Sequence, residues 1–114
     1  MAKIVVVHTD AVVRADLTDA LQNARPSVAT LSFADLESLS AHLLGAEPAD
    51  LLLFDARFRL PEPMLSMVRC AVPMVFNPTD AETPDKPCCA ACAPLPIPVR
   101  DEALLALLNR LFGA

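Results

Sequence analysis

Blocks of consecutive apolar residues alternate along the chain with stretches in which apolar residues recur every three or four positions. KIVVV, at Lys3–Val7, opens the series. A β-branched run with no polar alternation is the pattern of a strand covered on both faces. Asp10 then stands where a helix N-cap is expected, because Val13, Leu17, Ala20, Leu21 and Ala24 follow at helical spacing until Pro26. Residues 28–33 (VATLSF) predict a second strand. Leu36, Leu39 and Leu43 predict a second helix that stops at Gly45. Residues 50–55 (DLLLFD) predict a third buried strand ending in a carboxylate. Residues 73–76 (PMVF) predict a fourth, and the stretch 62–71 between them leaves room for only a short helix.

Beyond the fourth strand the pattern decays. Pro78, Pro84 and Pro87 argue against a full helix, because proline removes an N–H donor and clashes inside a helix. Residues 95–99 predict a weak last strand at a sheet edge, crowded by Pro94, Pro96 and Pro98. Leu104, Leu107, Leu108 and Leu111 form the apolar face of a final helix. Alternating strands and helices joined by short connections predict a three-layer, doubly wound α/β domain over residues 1–114, with a parallel sheet covered on both sides. Ligands of such sheets bind at the carboxyl ends of the strands.

Composition narrows the function. With 54% hydrophobic and 20% charged residues, the 114-residue chain has the apolar content that a doubly covered sheet needs. The net charge of −5, from 9 basic and 14 acidic residues, and the absence of Trp and Tyr argue against direct nucleic-acid binding. Two glycines cannot build a nucleotide-binding glycine loop, and no serine sits in a nucleophile-elbow context, so no enzymatic activity is expected. The longest apolar runs are strand-length, and the N-terminal run is too short for a secretory signal. A cytoplasmic protein without membrane contact is therefore expected.

Read together, KIVVVHTDAVVRADLTDAL, ADLLLFDARF, VPMVFNPTD and PIPVRDEALLALL resemble the receiver domain of bacterial response regulators along nearly the whole chain. The resemblance implies the flavodoxin-like, five-stranded parallel fold of that family, here with its third and fourth helices shortened or missing. It also implies a phosphoacceptor at Asp55. In the family an acidic pair after the first strand holds Mg²⁺, a Ser or Thr ends the fourth strand, and a lysine precedes a proline after the fifth.

This chain departs at each of those places. The acidic pair aligns with His8 and Thr9, with Asp10 one position later. The hydroxyl aligns with Pro78, between Asn77 and Thr79, and the lysine aligns with Ile97 before Pro98. Asp10 and Asp55 then remain as ligands of a weak Mg²⁺ site at most, because Mg²⁺ demands octahedral oxygen ligands. The resemblance as it stands implies a degenerate receiver, or pseudo-receiver. Such a module acts in signal transduction or transcriptional regulation by contact with a histidine kinase, an output domain or another regulator, and dimerises through its last strand and final helix. It is either stand-alone or the front of a longer regulator.

Two further readings stay open. One is a working phosphoacceptor that uses Asp55, Asp10 and Thr79. The other is a thiol or metal sensor at Cys88, Cys89 and Cys92, whose CAAC spacing suits a redox pair or half a zinc site. Bland roles stand beside them: a turn-capping Asp55, a structural His8, cysteines as small apolar fillers, and Met64, Met67 and Met74 as core.

Overall fold

In the computed structural model the chain is an α/β domain with a parallel sheet, described for residues 3–44, 49–55, 57–75, 95–96 and 99–113. Its elements in order are β1 (Lys3–Val7), α1 (Ala11–Ala24), β2 (Ala29–Phe33), α2 (Leu36–Leu44), β3 (Leu51–Asp55), α3 (Glu62–Leu65), β4 (Ala71–Val75), the two-residue β5 (Leu95–Pro96) and α4 (Asp101–Phe112). The four full strands lie in the order β2-β1-β3-β4, and β5 pairs with the end of β4, all in parallel.

Side-chain alternation divides the core into two halves. Ile4, Val6, Leu51, Leu53, Val72 and Met74 face Leu17 and Leu21 of α1 and Leu104, Leu107 and Leu108 of α4. Val5, Val7, Leu52, Phe54 and Ala71 face Leu39 of α2, Met64 of α3 and Val68. Ile4–Val7 of β1 and Leu51–Phe54 of β3 are thereby removed from water on both faces, which is why these stretches carry no polar residue. Met74 and Met64 are buried and Met67 packs at the margin, as their apolar settings predict.

Local chemistry sets the boundaries. Asp10 caps α1, accepting the Val12 N–H at 2.8 Å. Asp35 does the same for α2 through Ser38 N–H at 2.7 Å. Beyond α1, Arg25 donates to Asn109 Oδ1 at 2.7 Å and to the Gly113 carbonyl, pinning the end of α1 to the end of α4.

The short helix expected within 62–71 is present as the four-residue α3, whereas two strand expectations need adjustment. Ala71 already begins β4. That strand starts two residues earlier than expected, with Pro73 inside it. Leu52 N–H donates to the Cys70 carbonyl, so in the β3–β4 register the N–H groups of alternate residues 72 and 74 also turn toward β3. Pro73 therefore faces its missing donor to the other side, where β5 meets only Met74 and Val75. The last strand, expected over 95–99, pairs with β4 at Leu95 and Pro96, Val99 lies outside it, and residues 97–98 fall outside the described residues.

No helix among the described residues is long and apolar enough to cross a membrane. Leu53 is fully buried at the centre of the α1/α4 half-core. Leu53→Ala is expected to lower the unfolding free energy by about 2–5 kcal/mol, through lost transfer energy and a residual cavity. Urea denaturation followed by far-ultraviolet circular dichroism checks this, and Leu105→Ala, at a half-exposed position of α4, should cost far less.

Candidate functional site

The sheet order changes direction between β1 and β3: from β1 the chain moves outward to β2, then returns to place β3 on the other side of β1. At such a switch point the connections leave in opposite directions and open a crevice at the carboxyl ends of the strands. The register pairs Val6 with Leu53 and Val7 with Phe54, so its next step sets His8 beside Asp55. Both are buried, and they are the two buried polar or charged residues among those described.

Their neighbours define their states. Asp10 N–H donates to His8 Nδ1 at 2.9 Å, so Nδ1 presents its lone pair and the ring proton sits on Nε2. Nε2 faces Asp55 Oδ2 at 3.5 Å, a polar contact at the long limit of hydrogen bonding. His8 is held from behind as well: its N–H donates to the Phe33 carbonyl at 3.1 Å, and its own carbonyl accepts from the Arg14 guanidinium.

Asp55 is engaged chiefly by Arg57. Arg57 N–H donates to Oδ1 at 3.0 Å, closing a turn two residues on from the carboxylate. Its guanidinium adds Nε contacts to Oδ1 at 3.1 Å and Oδ2 at 3.0 Å, and Nη2 to Oδ2 at 2.6 Å. Burial pushes the Asp55 carboxyl up, but the side-chain and backbone hydrogen bonds of Arg57, its positive charge and a smaller push from His8 outweigh that, and the net direction is down. The Arg57 guanidinium is raised in turn by Asp55. A carboxylate has about four lone-pair positions. Here Arg57 N, Nε and Nη2 occupy most of them, and the His8 ring faces Oδ2 at 3.5 Å.

The arrangement does not fit the divalent cation that the resemblance implies. Asp10, the second oxygen ligand expected, has its carboxylate turned to the first turn of α1, where the orphan N–H of Val12 holds it. His8 presents an N–H to the site, which cannot ligate, and Asp55 is already forked to a guanidinium. No group of three His, Cys, Asp or Glu among the described residues is placed to hold a metal. Thr9 is exposed. The expectations at Asn77, Thr79, Ile97, Cys88, Cys89 and Cys92 lie outside the described residues.

Arg57 is the residue that the sequence reading missed. Its signal was a basic residue two positions after a strand-ending carboxylate, the spacing at which an aspartate accepts a backbone N–H and a long side chain folds back. Comparison with protein-family models, with curated proteins and with solved structures finds no match for this chain.

The lowered Asp55 carboxyl gives a pH dependence of known sign. Its ionised form contributes stability above the ordinary aspartate range near pH 4, and that contribution is lost as the pH falls through the lower folded value. Arg57→Ala is expected to raise the carboxyl and to destabilise the fold at neutral pH, because a buried carboxylate loses its main partner. Carbon-detected NMR titration of Asp55 in both proteins reads the shift directly, and an unchanged midpoint would contradict the assignment of Arg57.

Proposed function

We propose that the chain is a receiver-like signalling module whose acceptor position is neutralised from within, and which works by protein contact instead of aspartyl phosphorylation. The observation that carries this reading is the occupation of Asp55 by Arg57 and His8 at the switch point of the sheet. Phosphoryl transfer depends on cations and donors aimed at the moving phosphoryl oxygens, and on an acceptor oxygen with an accessible lone pair. Here the positive charge comes from the protein itself and is already spent on the acceptor.

The architecture supports the family part of the reading. With β5 counted as the last strand, the order β2-β1-β3-β4-β5 is that of the flavodoxin-like sheet, and the brief α3 suits a receiver with a shortened third helix; the expectation for the fourth helix falls outside the described residues. In this reading the module transmits a signal through the arrangement of its surface to a kinase, an output domain or another regulator. The fixed state of Asp55 removes the usual covalent input.

One observation favours the phosphoacceptor reading as the runner-up: Asp55 is ionised, as a nucleophilic carboxylate must be, and it lies at the strand end where an in-line donor would approach. Arg57 would then have to swing away first. Titration of isotope-labelled protein with Mg²⁺ and then beryllofluoride, following the amides of Asp10, Asp55 and Arg57, separates the two. The pseudo-receiver reading expects no saturable shift at millimolar Mg²⁺ with beryllofluoride, while Arg57→Ala need not share that silence. Saturable shifts in the unaltered protein would overturn the reading in favour of a working acceptor.

A further inference from the structure

β2 differs from the other full strands in that little of it is buried. Among the described residues it lies at the outer edge of the sheet with β1 as its one strand neighbour, and Ala29, Leu31 and Ser32 are exposed while Thr30 and Phe33 are half-buried. An edge strand of this kind is ordinarily protected by a charged residue, a proline or a bulge. The uninterrupted stretch 27–34 (SVATLSFA) has no charge and no proline, and Leu31, 37% exposed, is one of three large apolar side chains most open to solvent among the described residues.

The ladder to β1 decides which backbone groups are left over. His8 N–H donates to the Phe33 carbonyl, so in the parallel register residues 29, 31 and 33 turn their bonding groups toward β1. Thr30 and Ser32 therefore aim both N–H and C=O outward. We propose that this edge is a self-association surface, on which a second copy of the chain pairs its own β2 antiparallel about a two-fold axis through Leu31.

The register follows from parity. In an antiparallel pair, outward-bonding residues must oppose outward-bonding residues. Centring the axis on Leu31 sets Thr30 opposite Ser32 of the second copy and Ser32 opposite its Thr30, each pair exchanging two hydrogen bonds. The two Leu31 side chains meet at the non-hydrogen-bonded position, where Cα atoms approach to about 4.5 Å. This register pairs every residue of β2, since Ala29 then opposes Phe33; a shift by two positions in either direction leaves part of the strand uncovered.

Charge at the flanks agrees. Arg25 precedes the strand, and Asp35 and Glu37 follow it. Among the described residues Arg25 donates to the neutral Asn109 amide and the Gly113 carbonyl, and the hydrogen bonds that Asp35 accepts from Ser38 hold its carboxyl down. A two-fold axis brings the basic end of one strand toward the acidic end of the other, whereas a parallel arrangement would set like charges together. An isologous contact of this kind closes on itself and stops at two copies.

Sedimentation equilibrium of the whole chain tests the surface. Five residues a side make a small interface, so a weak dimer is expected, with a Kd of roughly 100 µM that rises with salt. Leu31→Lys should weaken it by on the order of tenfold through like charges placed face to face, while Leu105→Lys on α4 and Asp55→Asn should leave it unchanged. The Leu31→Cys variant oxidised with glutathione disulfide should form a disulfide-linked dimer beyond the background of the parent protein. Ala29→Cys, whose opposite residue is Phe33, should not. A chain that stays monomeric to millimolar concentration, a dimer broken by Leu105→Lys but not by Leu31→Lys, or equal cross-linking of both cysteine variants would each overturn the proposal. The cross-linking arm decides the question even if Leu31→Lys fails to fold.

Discussion

A buried carboxylate has to be neutralised or hydrogen-bonded, and much of the local order around β1 and β3 serves Asp55. The residue ends a strand that is apolar on both faces, so no solvent is at hand to carry its charge. Arg57 reaches back over a two-residue turn with its exposed stem in water and its guanidinium on the carboxylate. His8 completes the arrangement from the neighbouring strand. Its orientation is fixed in turn by the Asp10 N–H, which is held at the start of α1 by the capping role of the same residue. The N-cap of a helix, the tautomer of an imidazole and the charge state of an aspartate are therefore coupled across some fifty residues of sequence.

The same constraint explains why the site resists the metal chemistry its position invites. A hard cation and a guanidinium compete for the same oxygen lone pairs, and the guanidinium is tethered two residues away, so its effective concentration at the carboxylate is high. Asp10 is not spare either, since withdrawing it from α1 would leave a helix N-terminus without its cap. The pocket is thus balanced internally.

The surfaces of the sheet are unequal. β1 and β3 are sealed by helices on both sides, whereas β2 stands at the margin with two unmatched backbone positions and an exposed leucine at its centre. At the opposite margin Pro73 aims its missing donor outward, toward β5.

The succession of strands and helices, the buried character of β1 and β3 and the cap at Asp10 were all legible in the sequence, because hydrophobic periodicity and capping act over a few residues. Asp55 and His8 could be singled out as strand-end polar residues for the same reason. Their pairing was not legible, since it depends on the register between two strands far apart in the chain, and a shift of one residue would have sent His8 to the other face. Nor could the sequence tell that Arg57 folds back onto Asp55, that Pro73 points its missing donor away from β3, or that β2 stands at the edge of the described sheet. Each of these is decided by which neighbour a backbone or side-chain group meets in space, and that is set only when the sheet is assembled.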